Sequence, residues 1–168
     1  MNLVFLALGS NLGDSRTLLR DARDRLTSLA ESPIASASLY ETIPVNCPPG
    51  SPSFLNTVVS FSSKKTPSEI LAHTQAVESE LGRAKLSDRN LNAPRPIDLD
   101  LIFVGNQVIQ TPDLTLPHPR FHERRFVLHP LRDLAPGLVP PTHANPIAIL
   151  LEICESQEPP PIFVSETW

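Results

Sequence analysis

Two aspartates flanking one leucine, in Asp98-Leu99-Asp100, form the pattern most informative about chemistry in this sequence. They fall within the apolar stretch from Ile97 to Val104, which has the length and composition of a buried strand. Side chains at positions i and i+2 of a strand point to the same face, about 6–7 Å apart. Two carboxylates at that distance repel each other by about 2–3 kcal/mol at an effective dielectric constant of about 20. A divalent cation would remove this repulsion, and oxygen ligands beside a phosphate favour Mg²⁺. The alternative is a solvent-facing edge strand on which the acids discourage aggregation.

Basic residues are concentrated around this pair of acids. The chain has 14 Lys and Arg against 18 Asp and Glu, a net charge of −4, yet the segment 83–132 carries a charge of +3. The bases in it are Arg83, Lys85, Arg89, Arg95, Arg120, Arg124, Arg125 and Arg132. Guanidinium groups next to a carboxylate–metal pair are what a bound polyphosphate requires. The alternative is an ordinary scatter of solvated surface charges.

Other features of the sequence narrow the class of protein. It has no Walker A loop and no G-x-G-x-x-G pattern, and the turn at positions 9–13 lacks the Lys and the length of a phosphate-binding loop. The acidic net charge argues against binding nucleic acid by bulk charge, and no apolar run is long enough to span a membrane. The cysteines Cys47 and Cys154 make neither a disulfide framework nor a metal knuckle. Because no signal peptide is visible, we expect a cytoplasmic protein.

Several single residues are further candidates for binding. His118 lies between two prolines that restrict its backbone, so a contact with phosphate is a reasonable role for it. Phe54 and Phe126 are candidates for core packing, with stacking on a planar ligand as the alternative. Asn56 shares a strand face with Phe54 and could offer amide hydrogen bonds beside a stacked ring.

Hydrophobic periodicity predicts the order β-α-β-β-α-β-β, followed by small helices. Strands are expected at 3–8, 34–42, 54–62 and 97–104, and helices at 18–29 and, after a capping box at Thr66 and Glu69, at 67–81. Gly105-Asn106 predicts a tight hairpin turn with a return strand from Val108. Two long helices on one face of an antiparallel sheet indicate an α+β, ferredoxin-like two-layer sandwich with long mobile loops. Residues 1–155 are expected to form the domain, and the Pro-rich residues 156–168 a poorly fixed tail.

Several motifs together resemble the hydroxymethyl-dihydropterin pyrophosphokinase family. The segment from Ala93 to Ile102, APRPIDLDLI, closely resembles the signature of that family, and LGSNLG at positions 8–13 matches its opening motif. Further matching pieces fall in the expected order and spacing, namely Tyr40-Glu41-Thr42, Phe54-Leu55-Asn56, Leu116-Pro117-His118-Pro119 and Arg124-Arg125-Phe126. The resemblance covers residues 2–153 and is specific as a combination of short motifs.

The resemblance implies a reaction and a set of site residues. The reaction is transfer of the pyrophosphoryl group of ATP to the hydroxymethyl group of a reduced pterin, giving AMP, in a step of folate biosynthesis that uses two Mg²⁺. By this resemblance Asp98 and Asp100 hold both metal ions, and Arg95 and Arg83 contact the transferred phosphates. The implied ATP-site residues are Gln75, Glu78, Lys85, Leu101, Thr115, His118 and Arg124. The implied pterin-site residues are Thr42, Val45, Phe54, Asn56 and Phe126, of which the phenylalanines sandwich the ring. The expected partners are ATP and the pterin, without nucleic acid or membrane, and the chain is expected to be a monomer or a weak homo-oligomer.

Two other functions stay open on the sequence. A ferredoxin-like module that binds RNA or a regulatory ligand would show exposed aromatic side chains on an open sheet face and a basic surface. A metal-dependent phosphohydrolase could use the same two aspartates. Release of inorganic phosphate without any requirement for a pterin would distinguish that enzyme from a pyrophosphokinase.

Overall fold

The computed structural model describes residues 1–44, 47–84 and 93–168. Its strands in chain order are β1 (Asn2–Ser10), β2 (Ala35–Ser36), β3 (Leu39–Thr42), β4 (Phe54–Ser63), β5 (Asp98–Val104), β6 (Ile109–Gln110), β7 (Thr115–Leu116) and β8 (Ile162–Ser165). Its helices are α1 (Ser15–Arg25), α2 (Pro67–Glu80), α3 (Arg125–Leu134) and α4 (Ile147–Glu152), with short 3₁₀ turns at Leu26–Leu29 and Phe121–Glu123. Among these residues, no helix combines the length and the apolar character needed to cross a membrane.

Local sequence signals explain where the two long helices begin and where α2 ends. Asp14 caps α1 by accepting a hydrogen bond at 3.2 Å from a main-chain N–H of the first turn. Thr66 and Glu69 form the predicted capping box at the start of α2, where a proline occupies the first turn. After α2, Gly82 adopts a left-handed conformation with a φ of 89°, which a residue without Cβ tolerates. That turn leads the chain directly to Arg83.

The main sheet is antiparallel, and its strands lie in the order β5-β1-β4-β3-β8, with β2 also paired to β4. The segment β5-β1-β4-β3 has the strand order of a ferredoxin-like sheet, as predicted. Because β1 pairs with both β4 and β5, Gly9 lies between Asn56 and Asp98, and Ala7 lies between Val58 and Asp100. The register therefore places both aspartates next to the smallest residues of the central strand.

Both faces of the sheet are packed. On one face, α1 and α2 cover alternate residues of the central strands, so that Leu6 and Ile70 are fully buried in the same cluster. The predicted packing of two long helices on one face is confirmed. On the other face, α3 and α4 build a second cluster that includes Phe5 and Leu128. The small helices therefore add a second core, and it covers the face to which Asp98 and Asp100 also belong by strand alternation.

One predicted strand pairing is wrong. The turn at Gly105-Asn106 is present, but the return strand β6 pairs with β7 and not with β5. β5 is paired with β1, and next to β5 the main-chain N–H of His118 donates to the carbonyl oxygen of Ile102 at 3.0 Å. Turn residues act locally, whereas the partner of a strand is selected by long-range packing. The sequence could therefore predict the turn without predicting the partner.

The expectation of a poorly fixed tail is also wrong. β8 pairs antiparallel with β3 at the edge of the main sheet. Beyond it, the indole N–H of Trp168 donates to the carbonyl oxygen of Ala37 at 2.9 Å, and the Arg23 guanidinium lies 5.0 Å from the centroid of the Trp168 ring. Prolines prevent a helix here but are compatible with an extended edge strand, so the Pro-rich composition did not exclude this packing. The domain boundary at residue 155 stays a prediction.

Candidate active site

A cavity of about 410 Å³ opens on the sheet face that α3 and α4 leave partly uncovered. Residues of three adjacent strands line its sheet side: Ala7 and Gly9 from β1, Asn56 from β4, and Asp98 and Asp100 from β5. Strand alternation explains this grouping. Along each strand, these positions point to the same face of the sheet as the buried residues of the second core. A Cβ at Gly9 would lie 3.2 Å from Oδ1 of Asn56, so a larger residue there would require the Asn56 amide to move.

Both aspartates face positively charged side chains. Arg83 pairs with Asp98, and Nε of Arg95 lies 3.0 Å from Oδ2 of the same carboxylate. Nη1 of Arg124 donates to Oδ2 of Asp100 at 3.2 Å, and Nε2 of His118 lies 4.0 Å from that oxygen. Three guanidinium groups therefore lie beside two carboxylates in one cavity, where they could also bind the oxygens of an anionic ligand.

Burial and neighbouring charges shift the pKa values of two groups in the cavity. Burial, and then the charge of Asp98, raise the pKa of the Asp100 carboxyl above its ordinary value. Burial lowers the pKa of His118, although the Asp100 charge opposes that shift. Within the part of the chain that the structure describes, the buried Nε atom of Arg83 has no hydrogen-bond acceptor, whereas Nε of Arg95 faces the Asp98 carboxylate. Buried donors without acceptors are costly, so the Arg83 Nε atom is available to a ligand oxygen.

Buried polar residues hold the two arginines beside Asp98. Below the cavity, the Glu78 carboxylate accepts a hydrogen bond from the Leu99 main-chain N–H at 2.7 Å and also binds Arg83. Glu78 therefore links α2 to β5 and orients a cationic side chain at the same time. Arg95 is positioned through its backbone, because its N–H donates to Oδ1 of Asn11 at 2.9 Å. The Asn11 main-chain N–H donates back to the Arg95 carbonyl oxygen at 3.2 Å.

The other end of the cavity carries aromatic and amide groups. Phe54 and Phe126 both line it, and each ring has a guanidinium nearby. Arg95 lies 5.3 Å from the centroid of Phe54, and Arg124 lies 5.6 Å from the centroid of Phe126. Nδ2 of Asn56 donates to the hydroxyl of Thr42 at 2.9 Å, which fixes the amide beside the rings. The cavity thus joins a planar aromatic site directly to the cationic site.

Most of the residues expected in the site line this single cavity. These are Thr42, Phe54, Asn56, Arg83, Arg95, Asp98, Asp100, His118, Arg124 and Phe126. Four expected residues do not line it: Gln75 and Thr115 are exposed elsewhere, Leu101 is buried in the core, and Glu78 lies beneath Arg83. Val45 and Lys85 lie outside the described residues. The binding roles of these six residues stay predictions.

The cavity is also lined by residues for which the sequence predicted no role in the site. They are Ala7, Leu8, Gly9, Ile43, Cys47, Thr57, Arg120, Glu158 and Pro159. A sequence signal existed for Ala7 and Gly9, because small residues alternate with large apolar ones along β1 and share a face. No local signal pointed to Glu158 and Pro159, which reach the cavity only because β8 returns to the sheet edge.

In the part of the chain that is described, no three His, Cys, Asp or Glu side chains cluster as a complete metal site. A pair of carboxylates therefore has to be completed by ligands from elsewhere. This arrangement fits Mg²⁺, which keeps several waters and takes one or two carboxylates together with substrate phosphates.

Comparison with known sequences agrees with the family resemblance of the motifs. A family model described as 7,8-dihydro-6-hydroxymethylpterin-pyrophosphokinase matches residues 5–136. A 2-amino-4-hydroxy-6-hydroxymethyldihydropteridine pyrophosphokinase of Porphyromonas gingivalis is 42% identical over 141 residues, which are 83% of this chain and 95% of the relative. The enzyme of the same name from Bacillus subtilis is 40% identical over 135 residues, 79% of this chain and 78% of the relative.

Solved structures support the fold. A structure titled HPPK-DHPS in complex with substrates has a TM-score of 0.67 and 15% identity, and the match covers 90% of this chain. A Plasmodium falciparum HPPK-DHPS structure with pteroate has a TM-score of 0.69 at 15% identity. This chain spans 43% and 42% of those two chains, so it corresponds to less than half of each.

Proposed function

The chain belongs to the 7,8-dihydro-6-hydroxymethylpterin-pyrophosphokinase family, and from that premise we propose how its residues perform the reaction. The reaction is transfer of pyrophosphate from ATP to 6-hydroxymethyl-7,8-dihydropterin in folate biosynthesis, with AMP and the pterin diphosphate as products. One observation carries the assignment of residues: a single cavity joins paired carboxylates, four arginines and two phenylalanines. Those groups match the charged phosphates and the planar ring of the two substrates.

The substrate hydroxyl attacks the β-phosphorus of ATP, and the bond from that phosphorus to the α-phosphate oxygen breaks. This chemistry requires mainly positioning of the two reactants and neutralisation of charge on the phosphate oxygens. Arg83, Arg95 and Arg124 supply the positive charge, because all three reach into the cavity around the aspartates. His118 adds a hydrogen-bonding group on the Asp100 side of the cavity.

The residues present fit a divalent metal. Asp98 and Asp100 share one cavity, and the raised pKa of Asp100 reflects burial and a neighbouring charge that a cation would offset. We assign two Mg²⁺ to this pair, with phosphate oxygens as further ligands. Bound there, the ions would neutralise phosphate charge and lower the pKa of the substrate hydroxyl.

The arginines around the aspartates have two possible anionic partners, carboxylate and phosphate. In the structure Arg83 and Arg95 pair with Asp98, and Arg124 pairs with Asp100. When ATP enters, these guanidinium groups turn from the carboxylates to the phosphate oxygens. The buried Nε atom of Arg83, which lacks an acceptor among the described residues, supports this exchange.

The pterin binds between Phe54 and Phe126, with the amide of Asn56 and the hydroxyl of Thr42 at the edge of its ring. The Thr42–Asn56 hydrogen bond of 2.9 Å supports this assignment, because it holds a donor and acceptor pair in a fixed orientation. Val45 is assigned to the same edge by family resemblance. Gln75, Glu78, Lys85, Leu101 and Thr115 are assigned to the nucleotide on the same basis.

The RNA-binding alternative has little structural support. It requires exposed aromatic side chains on an open sheet face. Here Phe5, Phe103 and Phe121 pack against one another with edge-to-face geometry and are buried by α3 and α4. The phosphohydrolase alternative shares the aspartates, so the decisive measurement is the identity of the product.

The test is an assay that measures AMP and inorganic phosphate separately. With ATP, Mg²⁺ and 6-hydroxymethyl-7,8-dihydropterin, we expect AMP to form and to depend on the pterin. Absence of AMP from well-folded protein would refute the assignment. Release of phosphate from ATP without the pterin would indicate the hydrolase instead. Action in the cytoplasm and the monomeric or weakly associated state stay part of the proposal.

A further inference from the structure

The C-terminal segment contributes to the active-site cavity although it lies outside the family match. That match ends at residue 136, whereas Glu158 and Pro159 both line the cavity. Pro159 is exposed and Glu158 is partly buried, so the segment forms an outer wall of the cavity. A wall supplied by residues beyond the family region is a place where this chain can differ from its relatives in substrate binding.

At one end, the wall is held by Arg125 at the start of α3. Its Nη2 donates to the Cys154 carbonyl oxygen at 3.1 Å, and its Nη1 donates to the Glu158 carbonyl oxygen at 3.4 Å. Arg125 lies between Arg124, which pairs with Asp100, and the lining residue Phe126. The same helical turn therefore carries one residue that holds the wall and two that face the cavity.

At the other end, the wall continues into β8, which pairs with β3. Ile162 lies opposite Glu41, and the residue after Glu41 is Thr42, which binds Asn56. The hydrogen bond of Trp168 to the carbonyl oxygen of Ala37, between β2 and β3, anchors the far end of the segment. Residues 158–159 are thus held between the Phe126 side and the Thr42 side, both of which belong to the aromatic end of the cavity.

We propose that residues 158–159 form a wall of the pterin-binding end and that Glu158 is a further substrate-binding residue. The inference rests on the proposed function, which places the pterin between Phe54 and Phe126. A reduced pterin carries an amino group and ring N–H groups, and a carboxylate accepts hydrogen bonds only. Of the two wall residues, Glu158 is therefore the one whose side chain can accept hydrogen bonds from the pterin. A charged acceptor makes a stronger hydrogen bond than a neutral one.

The test compares Glu158→Ala with the matched variant Glu155→Ala, which lies in the same segment and is exposed outside the cavity. Calorimetry with the pterin, Mg²⁺ and an unreactive ATP analogue measures binding of the second substrate in the full chain. We expect Glu158→Ala to weaken pterin binding by about tenfold, the loss of one charged hydrogen bond, with nucleotide affinity unchanged. In steady-state kinetics the KM for the pterin should rise while kcat changes little, as expected for loss of uniform binding.

Melting temperatures check that each variant is folded, and Glu158→Leu, which has a side chain of similar size but no hydrogen-bond acceptor, provides the same test if the alanine variant is unstable. Pterin affinity of Glu158→Ala within twofold of Glu155→Ala would overturn the inference. Wild-type protein that makes no AMP would overturn the proposed function. An active wild type with unaffected Glu158 variants would overturn only the role of Glu158.

Discussion

Asp98 and Asp100 are each paired with arginine in the structure, and these pairs offset part of the repulsion between the two carboxylates. The arginines do not merely balance charge, because Asp100 still has a raised pKa from burial and from Asp98. A cation bound between the two carboxylates would remove this cost. The two aspartates therefore indicate a site in which bound substrate and metal supply the missing charges and ligands.

Replacing either aspartate should abolish catalysis while leaving the fold intact. We expect Asp98→Asn and Asp100→Asn to lower kcat/KM by about a hundredfold or more, because each removes charge that holds metal beside the phosphates. Asp113→Asn, at an exposed position outside the cavity, is the matched control. AMP formation and circular dichroism measure the two effects. Near-normal rates in both site variants would rule out their metal role.

Titration of the Tyr40 hydroxyl reports folding directly, because Tyr40 is the single tyrosine of the chain. Burial, and then its hydrogen bond of 2.8 Å to Asp133, raise the pKa of its hydroxyl to about 12. In the unfolded chain the pKa returns to about 10. The contribution of this group to stability is therefore fully present below pH 10 and is lost as the pH rises toward 12.

Absorbance of the phenolate at 295 nm measures this shift without interference from other tyrosines. We expect a midpoint of about 12 in the folded protein and about 10 in guanidinium chloride. Asp133→Asn should lower the folded midpoint, but keep it above 10, because burial is the larger cause. Equal midpoints in folded and unfolded protein would contradict the buried, hydrogen-bonded position of Tyr40.

At the scale of the element, β1 has two functions that follow from its alternation. One face carries Leu6 and Leu8 into the core under α1 and α2, and the other carries Ala7 and Gly9 into the cavity. Large residues on the second face would fill the space above Asp98 and Asp100. The same strand therefore both supports the fold and leaves room for the ligand.

The space above Gly9 can be tested by adding one methyl group. In Gly9→Ala the new Cβ would lie 3.2 Å from Oδ1 of Asn56, so the amide must move. We expect the KM for the pterin to rise about tenfold or more, with a small loss of stability. Gly137→Ala is the control, because a Cβ there meets no atom within 4 Å. Unchanged pterin kinetics in Gly9→Ala would show that Asn56 does not read the pterin edge.

At the scale of the whole molecule, the two ends of the cavity are built from distant parts of the chain. The turn after α2 positions Arg83, and β5 carries the aspartates. The first turn of α3 and the residue before it provide Phe126 and Arg124, and β8 lies at the edge of the sheet. Because these elements meet at the cavity, a ligand that bridges them stabilises the folded state as a whole. Binding should therefore be visible in the melting temperature.

We expect Mg²⁺ and an unreactive ATP analogue together to raise the melting temperature by about 5–10 °C when the analogue is at a hundredfold excess over its Kd. The analogue with a chelator should give a much smaller shift, because the phosphates and the two aspartates then repel each other. Asp113→Asn should behave as the wild type. An equal shift with and without Mg²⁺ would contradict the assignment of metal to Asp98 and Asp100.

The sequence by itself determined the local structure and the chemistry. The capping box at Thr66, the turn at Gly105 and the spacing of Asp98 and Asp100 depend on neighbouring residues, so each was predicted correctly. The family motifs also identified Phe54 and Asn56 on β4 and Asp98 and Asp100 on β5, which line the cavity. These features are encoded within a few positions of each other, where residue type restricts backbone and side chain directly.

Only the tertiary structure decided what depends on distant segments meeting. It paired β6 with β7 instead of β5, placed α3 and α4 on the second face of the sheet, and brought β8 and Glu158 to the cavity. It also showed that Glu78 supports Arg83 from below. Such contacts are selected by the total burial of apolar surface and by the pairing of buried polar groups, and no short stretch of sequence contains both partners.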